Sequence, residues 1–451
     1  MKNIYFFLSL LVILTGSCID NDSDLGTNEI SRIKFKTAFD ENGYRADRWS
    51  EFALDCPEII QENEEKPLTY RWDINYKTVS TEKDLRFICD ELTTADQGSF
   101  PCRLTVSNED GSSWLDFRLT VTSPYQEGLL IMSKVEDGSM FSFKREDKEN
   151  QEFQLNAYKL NNPDFPLGSE PKDVVQVESF LYIGTENPNR IVKVNSQTME
   201  AVSLLDYPGE HLDFMSVPGT ATYTIYCFDH GREIELDGSQ DAFMNAYQQA
   251  IDNVYPGIVL ANHAIAVGWS TFVYNDTDGA LLDIASLASY FPDEFTGKKL
   301  VDMVSCKDSE EMLVIVQAEG EVPEIVYLNP GNNVHYSTVS TQGTGITDES
   351  VFVASQQYSR LYYSVGNEIY VYDYSTGGNF PAVSSYTVGN AGDVIKAMVL
   401  TSDDSRLYVA WESAAGGELK GNAKCFVLSG DSEEWEAHGI AGDIVRMIYK
   451  L

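Results

Sequence analysis

The sequence predicts an all-β protein in which a small N-terminal β-sandwich is followed by a seven-bladed β-propeller. Two observations lead to this prediction. In the first third of the chain, short runs of alternating apolar and polar residues recur, as in half-buried strands. From residue 128 onward, strands rich in Tyr, Val and Ile recur with a period in the forties, which is typical of propeller blades.

The balance of charge excludes whole classes of partner. The 451 residues include 32 Lys and Arg against 70 Asp and Glu, so the net charge is −38. Because such a chain repels polyanions, we expect no nucleic-acid binding and no attraction to anionic lipid headgroups. With 43% hydrophobic and 12% aromatic residues, the chain can still bury sizeable cores and is not a disordered acidic tail.

The N-terminus has the pattern of an export signal. Lys2 precedes an apolar run over 4–14 that is too short to span a bilayer. The following Thr15-Gly16-Ser17-Cys18 resembles the end of a bacterial lipoprotein signal, although Thr15 stands where Leu is usual. The resemblance implies that residues 1–17 are removed and that Cys18 carries the lipid; an ordinary secretory signal with an incidental Cys is the alternative.

Residues 18–28 are expected to form an acidic tether. The run Ile19-Asp20-Asn21-Asp22-Ser23-Asp24 resembles the surface-export signal of SusC/SusD-type lipoproteins. That resemblance implies a protein anchored in outer-membrane lipid through Cys18 and exposed on the cell surface. The other six cysteines include no CxxC pair, so we expect neither a metal site nor a thioredoxin-like centre, and no cofactor.

The predicted sandwich covers residues 29–123. Its four clearest strands are followed along the chain by turn residues, and Asn108-Glu109-Asp110-Gly111 is typical of a tight hairpin because Asp-Gly allows positive φ. The predicted strands are 52–56, 68–72, 103–106 and 117–121.

The same segment resembles two known modules. The stretch 96–102 is similar to the D-x-G-x-Y-x-C corner of immunoglobulin-like folds, with Phe100 in place of Tyr. In that pattern Cys56, Trp72 and Cys102 are the two inter-sheet cysteines and the core tryptophan. The resemblance implies that they meet in the core, with Cys56 and Cys102 either bonded or present as two free thiols.

The phrases LTYRWDI, GSFPCRLTVSNEDG and VTSPYQEGLLIMS also resemble the PKD-like module of exported lipoproteins. Such modules are spacers or adhesive domains. Trp72 is therefore expected in the core and not as a sugar platform.

The predicted propeller covers residues 124–451. The 324 residues from 128 onward divide into seven units of about 46. Each unit begins near one member of a series of similar strands, and a second strand follows after a turn. The series comprises 129–132, 180–183, 222–225, 264–267, 312–315, 360–363 and 406–409.

Two repeated phrases predict how the ring closes. Gly442-Asp443-Ile444-Val445-Arg446-Met447-Ile448-Tyr449 repeats the pattern of 392–399, so the last strand should complete the blade that starts at Leu129 and remove exposed edges. The stretch 401–410 also resembles YVTN-like propellers. One insertion, 240–253, is predicted to be a helix because Phe243, Tyr247, Ala250 and Ile251 share a helical face.

Known catalytic motifs are absent from the sequence. There is no HExxH, GxSxG, Walker loop or GxGxxG in a βαβ context, and the five His have no metal-ligand spacing. Among 70 acids, no catalytic carboxylate pair can be selected by sequence. We therefore name no catalytic residue, expect no metal, and predict a binding protein and not an enzyme.

A ligand site in a propeller is expected in the central funnel. Asn262 and His263 lie on a predicted inner strand and can make directional hydrogen bonds, while Trp269 and Trp411 lie at strand ends and can stack on sugar rings. Packing between blades uses the same aromatic residues and is the alternative for each of them.

Lipid anchor, acidic tether, PKD-like module and propeller together resemble accessory lipoproteins of SusC/SusD-type TonB-dependent uptake systems. The resemblance implies capture of a nutrient, either a glycan or a peptide, in partnership with a SusC/SusD-like transporter pair. Two alternatives remain open. One is a structural subunit that docks on the transporter, and the other is a surface hydrolase or lyase that uses carboxylates in the funnel.

Overall fold

The computed structural model describes residues 30–94, 96–148, 151–218 and 223–451. The chain divides into two compact units, with the boundary between Ser123 and Pro124. The predicted signal peptide, the acidic tether and the lipidation site at Cys18 lie outside the described residues.

The described residues of the N-terminal unit form nine strands in three sheets. A five-stranded sheet has the order β2-β9-β8-β5-β6, and two two-stranded sheets pair β1 with β4 and β3 with β7. The strands are β1 (Ile33–Phe35), β2 (Tyr44–Asp47), β3 (Glu51–Leu54), β4 (Ile59–Gln61), β5 (Thr69–Ile74), β6 (Lys77–Ser80), β7 (Leu85–Ile88), β8 (Phe100–Asn108) and β9 (Gly111–Thr122).

One apolar core holds this unit together. Along β8, alternate residues are buried, which is the period of a strand with one face on a core. Trp72 is fully buried among Leu85, Leu104 and Leu119, and its indole N–H donates to the Glu82 carbonyl at 3.0 Å. Because the buried N–H has a partner, this large side chain adds apolar burial without an unsatisfied donor.

The disulfide that the immunoglobulin-like pattern suggested is not formed, because Cys56 and Cys102 are both free thiols. Cys56 lies beyond the end of β3, where its N–H donates to Asp84 at 2.9 Å and its thiol is only partly buried. Cys102 lies in the five-stranded sheet opposite Ile74 of β5, where burial raises its pKa to about 12. Both thiols were expected to meet Trp72 in the core. Trp72 and Cys102 are buried members of one hydrophobic cluster, and Cys56 packs against that cluster as a partly buried residue.

In the second unit, the described residues form seven sheets that follow one another along the chain. Six sheets contain four consecutive antiparallel strands each, and one has the order β11-β10-β36. The strands are β10 (Gly128–Val135), β11 (Gly138–Arg145), β12 (Glu170–Val177), β13 (Phe180–Glu186), β14 (Arg190–Asn195), β15 (Ala201–Asp206), β16 (Phe214–Ser216), β17 (Thr224–Asp229), β18 (Arg232–Asp237), β19 (Ala242–Met244), β20 (Leu260–Val267), β21 (Ser270–Asn275), β22 (Ala280–Asp283), β23 (Ser289–Tyr290), β24 (Lys298–Cys306), β25 (Glu311–Ala318), β26 (Glu324–Asn329), β27 (Val334–Ser340), β28 (Phe352–Ala354), β29 (Arg360–Val365), β30 (Glu368–Asp373), β31 (Tyr386–Thr387), β32 (Val394–Leu400), β33 (Arg406–Glu412), β34 (Gly421–Val427), β35 (Ser432–Ala441) and β36 (Asp443–Lys450).

These sheets form a closed circuit. The strands β12, β16, β20, β24, β28, β32 and β36 contact one another in that order, and β36 contacts β12. An apolar cluster fills each interface between consecutive sheets, including one in which Leu129 and Ile131 pack against Tyr408 and Cys425 of the last sheet. The second unit is therefore an all-β propeller.

The chain ends are joined by strand pairing. β36 runs antiparallel to β10, with Leu129 opposite Tyr449 and Arg446 opposite Met132. The pairing shifts by one residue between Met132 and Ser133, which marks a β-bulge in the closing strand. Since β36 forms hydrogen bonds with β10, neither strand is left with an open edge on that side.

Helices are short and few among the described residues. They are α1 (Ala157–Asn161), α2 (Ala246–Val254), α3 (Pro292–Phe295) and one 3₁₀ turn (Tyr374–Thr376). The helix predicted over 240–253 is only half present, because 242–244 instead pairs as β19 with β18. Phe243 therefore packs as a strand residue against Tyr207, at a ring distance of 5.7 Å. Across the described residues, no helix has the length and apolar character needed to cross a membrane.

One strand of the predicted series occupies a different position in its sheet. Residues 180–183, 312–315, 360–363 and 406–409 all lie in the second strand of a four-stranded sheet, whereas 264–267 lies in β20, the first strand. The second strand there is β21, which begins at Ser270 after the turn at Gly268 and Trp269. Alternation of apolar residues cannot distinguish the two strands, because both are buried.

Candidate functional site

Five of the strands that contact one another around the propeller, β20, β24, β28, β32 and β36, contribute residues to the lining of a cavity of about 750 Å³. This volume lies in the range of cavities that hold small ligands. Charged and polar side chains line it, among them His263 of β20, Asp302 of β24, Lys396 of β32 and Arg446 of β36. Asp173 of β12 contacts Arg446 at its edge. We call these five residues the channel cluster.

Local irregularities in strand pairing position the channel cluster. The register shifts between Pro171 and Asp173, between Leu260 and Ala264, between Leu300 and Asp302, and between Ile395 and Ala397. The fifth residue, Arg446, lies next to the shift in β36 described above. A bulge bends its strand and changes the direction of a side chain. Each of the five strands that carry the channel cluster can therefore turn a polar side chain away from the apolar interfaces between sheets.

Asp173 is the most buried carboxyl of the cluster, and it forms an ion pair with Arg446. The Arg446 Nε lies 3.3 Å from Asp173 Oδ1, and the Asp173 side chain is only 4% exposed. Backbone N–H groups of Val174 and Met215 donate to its two oxygens, each at 2.8 Å. Burial raises the pKa of Asp173, and Arg446 and the two N–H groups oppose that shift without cancelling it.

His263 and Asp302 form a second pair. His263 Nδ1 lies 3.4 Å from Asp302 Oδ1, which also accepts the Met303 N–H at 2.7 Å. Burial raises the pKa of Asp302, while His263 is the largest opposing influence and Arg446 also lowers it. The Asp302 side chain is 20% exposed and the Asp173 side chain is 4% exposed.

Lys396 completes the cluster as an exposed cation. It lies in the bulge of β32 and lines the cavity, and within the described part of the chain its ammonium group has no ion-pair or hydrogen-bond partner. The lining of the cavity contains three cations, Lys396, Arg406 and Arg446, and three acids, Glu127, Asp302 and Asp403. A negatively charged or strongly polar group of a ligand can therefore pair with the Lys396 ammonium at this position.

The cluster offers two kinds of chemistry. Arg446 and Lys396 can bind a carboxylate or another anionic oxygen group, the arginine through its planar fork of donors. Asp173, Asp302 and His263 can hold or transfer a proton, since a carboxyl with a raised pKa beside an imidazole suits general acid–base work. No group of three or more His, Cys, Asp or Glu in the described ranges is arranged to hold a metal ion.

The four residues that the sequence predicted for a ligand site lie in four different places. His263 belongs to the channel cluster, whereas its neighbour Asn262 is exposed and is not among the residues that line the cavity. Trp411 is buried at 1% exposure, with its ring 6.0 Å from that of His438, so it packs inside the protein as the alternative proposed. Trp269 is 89% exposed and lines a separate cleft of about 300 Å³.

Sequence reasoning missed Asp173, Asp302, Lys396 and Arg446. A signal for two of them was present, because the repeated phrases 392–399 and 442–449 place Lys396 and Arg446 at matching positions within otherwise apolar strands. A charged residue at a fixed position in a buried strand also indicates a side chain that faces the central cavity.

Comparison with known proteins shows the fold. No protein-family model matches the chain, and no curated protein matches it. A quinoprotein alcohol dehydrogenase-like protein from Bacteroides thetaiotaomicron is similar in structure, with a TM-score of 0.53, 13% identity, and coverage of 93% of this chain and 99% of that one.

Two further structures match less well. A dihydro-haem d1 dehydrogenase has a TM-score of 0.43 and 11% identity over 77% of this chain and 72% of its own. The β-propeller domain of Myceliophteria thermophila Cps50 has a TM-score of 0.41 and 10% identity over 61% of this chain and 88% of its own.

The expectation that the protein is not an enzyme is contradicted by this comparison. The structure with the TM-score of 0.53 is named for its likeness to an alcohol dehydrogenase. At 13% identity the likeness shows the fold alone, and this fold does not separate binding proteins from enzymes. Linear motifs could not indicate the channel cluster, because its residues lie on five strands that are distant in sequence.

Proposed function

We propose that this protein binds a glycan or a peptide in the central cavity of a seven-bladed propeller and captures it as a nutrient. In this proposal Cys18 carries a lipid that anchors the chain on the outer face of the outer membrane. Residues 29–123 are an immunoglobulin- or PKD-like spacer, and a SusC/SusD-type transporter pair receives the ligand. The sequence resemblances support the anchor, spacer and transporter, and the channel cluster supports the binding.

One observation carries the binding proposal: among the described residues, Lys396 has no partner in a cavity that Asp302 also lines and that Asp173 borders through Arg446. Removing charges from water costs free energy, and buried ion pairs add little net stability. Stability alone therefore gives no reason to place five charged or polar side chains in one cavity. A polar ligand that completes their hydrogen bonds gives such a reason.

Lys396→Met is the cleanest test of this proposal. Since Lys396 has no partner among the described residues, its loss should change stability by less than about 0.5 kcal/mol. We expect the full chain to gain melting temperature in the presence of a ligand from a panel of mannose oligosaccharides, galacturonate oligosaccharides and tryptic casein peptides. At a concentration of about 100 times Kd, the gain corresponds to roughly 2.7 kcal/mol.

The variant should lose most of that gain, whereas Lys83→Met in the other unit, where Lys83 is exposed, should keep it. No gain with any panel member, or an equal gain in Lys396→Met, would count against a site in the cavity. Co-purification of a SusC/SusD-like pair in that case would favour the structural docking subunit instead.

A second candidate function is hydrolysis or lyase chemistry in the same cavity. The observation that favours it is the pair of carboxyls, Asp173 and Asp302, whose pKa values are both raised beside His263. Acid–base cleavage needs one carboxyl that remains protonated and a second carboxyl that is ionised. Release of reducing ends or of new amino groups from the same panel, abolished in Asp302→Asn, is the result expected of an enzyme.

A further inference from the structure

Trp269 forms one side of a cleft that the channel cluster does not involve. It lies in the turn between β20 and β21, and 89% of its surface is exposed. The cleft of about 300 Å³ is also lined by Tyr290 of β23 in the same sheet, and by Glu310 and Asn332 in turns of the next sheet, β24–β27. We call it the Trp269 cleft.

Trp269 differs from the other tryptophans of the chain in its surroundings. Trp72, Trp411 and Trp435 contact other aromatic rings, and Trp49 and Trp114 have an arginine guanidinium over the ring. Among the described residues, Trp269 has neither kind of contact. Its two ring faces are therefore available, although exposing so much apolar surface to water is unfavourable.

The turn itself does not require a tryptophan. Gly268 supplies the positive φ of 59°, and its N–H donates to the Ser309 carbonyl at 2.5 Å. Val267 and Ser270 then pair across the two strands. Any polar residue could occupy position 269, so local folding does not explain an indole there.

Three polar side chains of the cleft are available for a ligand. The Glu310 carboxylate, the Asn332 amide and the Tyr290 hydroxyl have no hydrogen-bond or ion-pair partner within the described ranges of the chain. Glu310 and Asn332 are exposed, and Tyr290 is half-buried with its ring 5.3 Å from that of Phe272. Carboxylate, amide and phenol groups beside a flat aromatic face are the groups that bind the hydroxyls and the apolar face of a pyranose ring.

The charge and shape of the cleft select among ligand classes. Glu310 lies in it without a compensating cation, and the whole chain carries −38, so anionic ligands are repelled. An ammonium group is bound best where aromatic rings enclose it, whereas the faces of Trp269 are open to solvent. A neutral, flat ligand fits both conditions.

We propose that the Trp269 cleft is a binding site for neutral saccharides, in which Trp269 stacks on a sugar ring and Glu310, Asn332 and Tyr290 bind its hydroxyls. This site is separate from the central cavity and does not depend on the function proposed for that cavity. Its position at a surface turn suits it to a chain segment of a polysaccharide.

Affinity electrophoresis of the full chain tests this site. The gels contain galactomannan, xyloglucan, dextran or mixed-linkage β-glucan as neutral probes, or polygalacturonate as an anionic probe. We expect at least one neutral polysaccharide to retard the protein. Trp269→Ala and Glu310→Ala should each weaken retardation about tenfold or more, because a central aromatic or hydrogen-bonding contact commonly carries that much affinity.

Trp114→Ala is the matched control, since Trp114 is 56% exposed but lies in the N-terminal unit. It should bind like the unchanged protein, and so should Lys396→Met. No retardation by any neutral polysaccharide, stronger retardation by polygalacturonate, or full retention of binding in Trp269→Ala would overturn the proposal. Loss of binding in Lys396→Met alone would place the saccharide in the central cavity instead.

Discussion

Glu233 is a buried carboxyl whose ionisation is coupled to a helix. Its Oε2 accepts the Gln248 N–H of α2 at 2.9 Å, and its own N–H donates to Gln248 Oε1 at 2.6 Å. Its other oxygen, Oε1, has no hydrogen-bond partner among the described residues. Burial raises the pKa of Glu233 to about 8, and the nearby Glu235 adds to the rise.

This arrangement predicts a loss of stability as pH rises. Between the ordinary glutamate pKa of 4.5 and about 8, the folded protein holds a proton that the unfolded chain releases, so the free energy of unfolding falls across that window. Glu233→Gln cannot ionise, and its unfolding free energy should fall less from about pH 5 to about pH 9. The divergence should reach roughly a few kcal/mol, measured by denaturant unfolding.

Other groups face Glu233 and also titrate, namely Glu235 and, with weaker influence, Tyr207, Tyr226 and Cys227. They remain in Glu233→Gln, so their contribution is common to both proteins. Glu349→Gln, at an exposed position, should follow the unchanged protein at every pH. Parallel curves for Glu233→Gln and the unchanged protein would contradict the assignment.

At the scale of elements, closure of the propeller depends on close contact between two strands. A Cβ added to Gly442 would lie only 2.0 Å from the backbone carbonyl oxygen of Lys134. The Gly442 N–H donates to Ser133 Oγ at 3.1 Å, so the backbone there is also held in place. Only glycine allows β36 to approach β10 in this way.

Gly442→Ala should therefore destabilise the propeller by about 1–3 kcal/mol, the usual cost of overpacking a fitted site. The matched substitution Gly430→Ala should be neutral, because the nearest atom to its Cβ would be at 3.8 Å. Thermal unfolding of both variants measures the difference. Equal melting temperatures would show that the closing strand tolerates displacement.

Strands could be predicted where the residues of a short segment determine them. They could not be predicted reliably where one pattern of apolar residues fits two different positions or two kinds of element. The strands at 180–183 and 312–315 were placed correctly because apolar runs between turns are read without knowledge of the fold. The strand at 264–267 received the wrong position in its sheet, since two consecutive buried strands look alike. Phe243 fits a helical face, yet pairing with β18 puts it in a strand, so tertiary contacts overrode the local preference.

At the scale of the whole molecule, a net charge of −38 is the dominant electrostatic feature. Like charges repel one another more in the compact folded chain than in the expanded one, and salt screens this repulsion. The melting temperature should therefore rise between about 20 and 300 mM NaCl, as measured by calorimetry. Choline chloride should have the same effect, because screening does not depend on the cation; a fall in melting temperature would mean that ion pairs outweigh the repulsion.

The amino-acid sequence by itself determined that the protein is all-β and that its larger part is a propeller. The alternation of apolar residues within strands and the period of the repeats are both visible in the linear sequence, without knowledge of any tertiary contact. The N-terminal resemblances rest on residues outside the described ranges or on short motifs, and they stay predictions.

Only the tertiary structure decided which residues form the site. Asp173 and Arg446 are distant in sequence and meet at 3.3 Å because the ring closes through β36. Bulges, which leave no clear mark in the sequence, turn His263, Asp302 and Lys396 toward the cavity. The same packing buried Trp411 and left Trp269 exposed, although both looked alike in sequence. Burial and convergence depend on contacts between distant strands, and no local pattern encodes them.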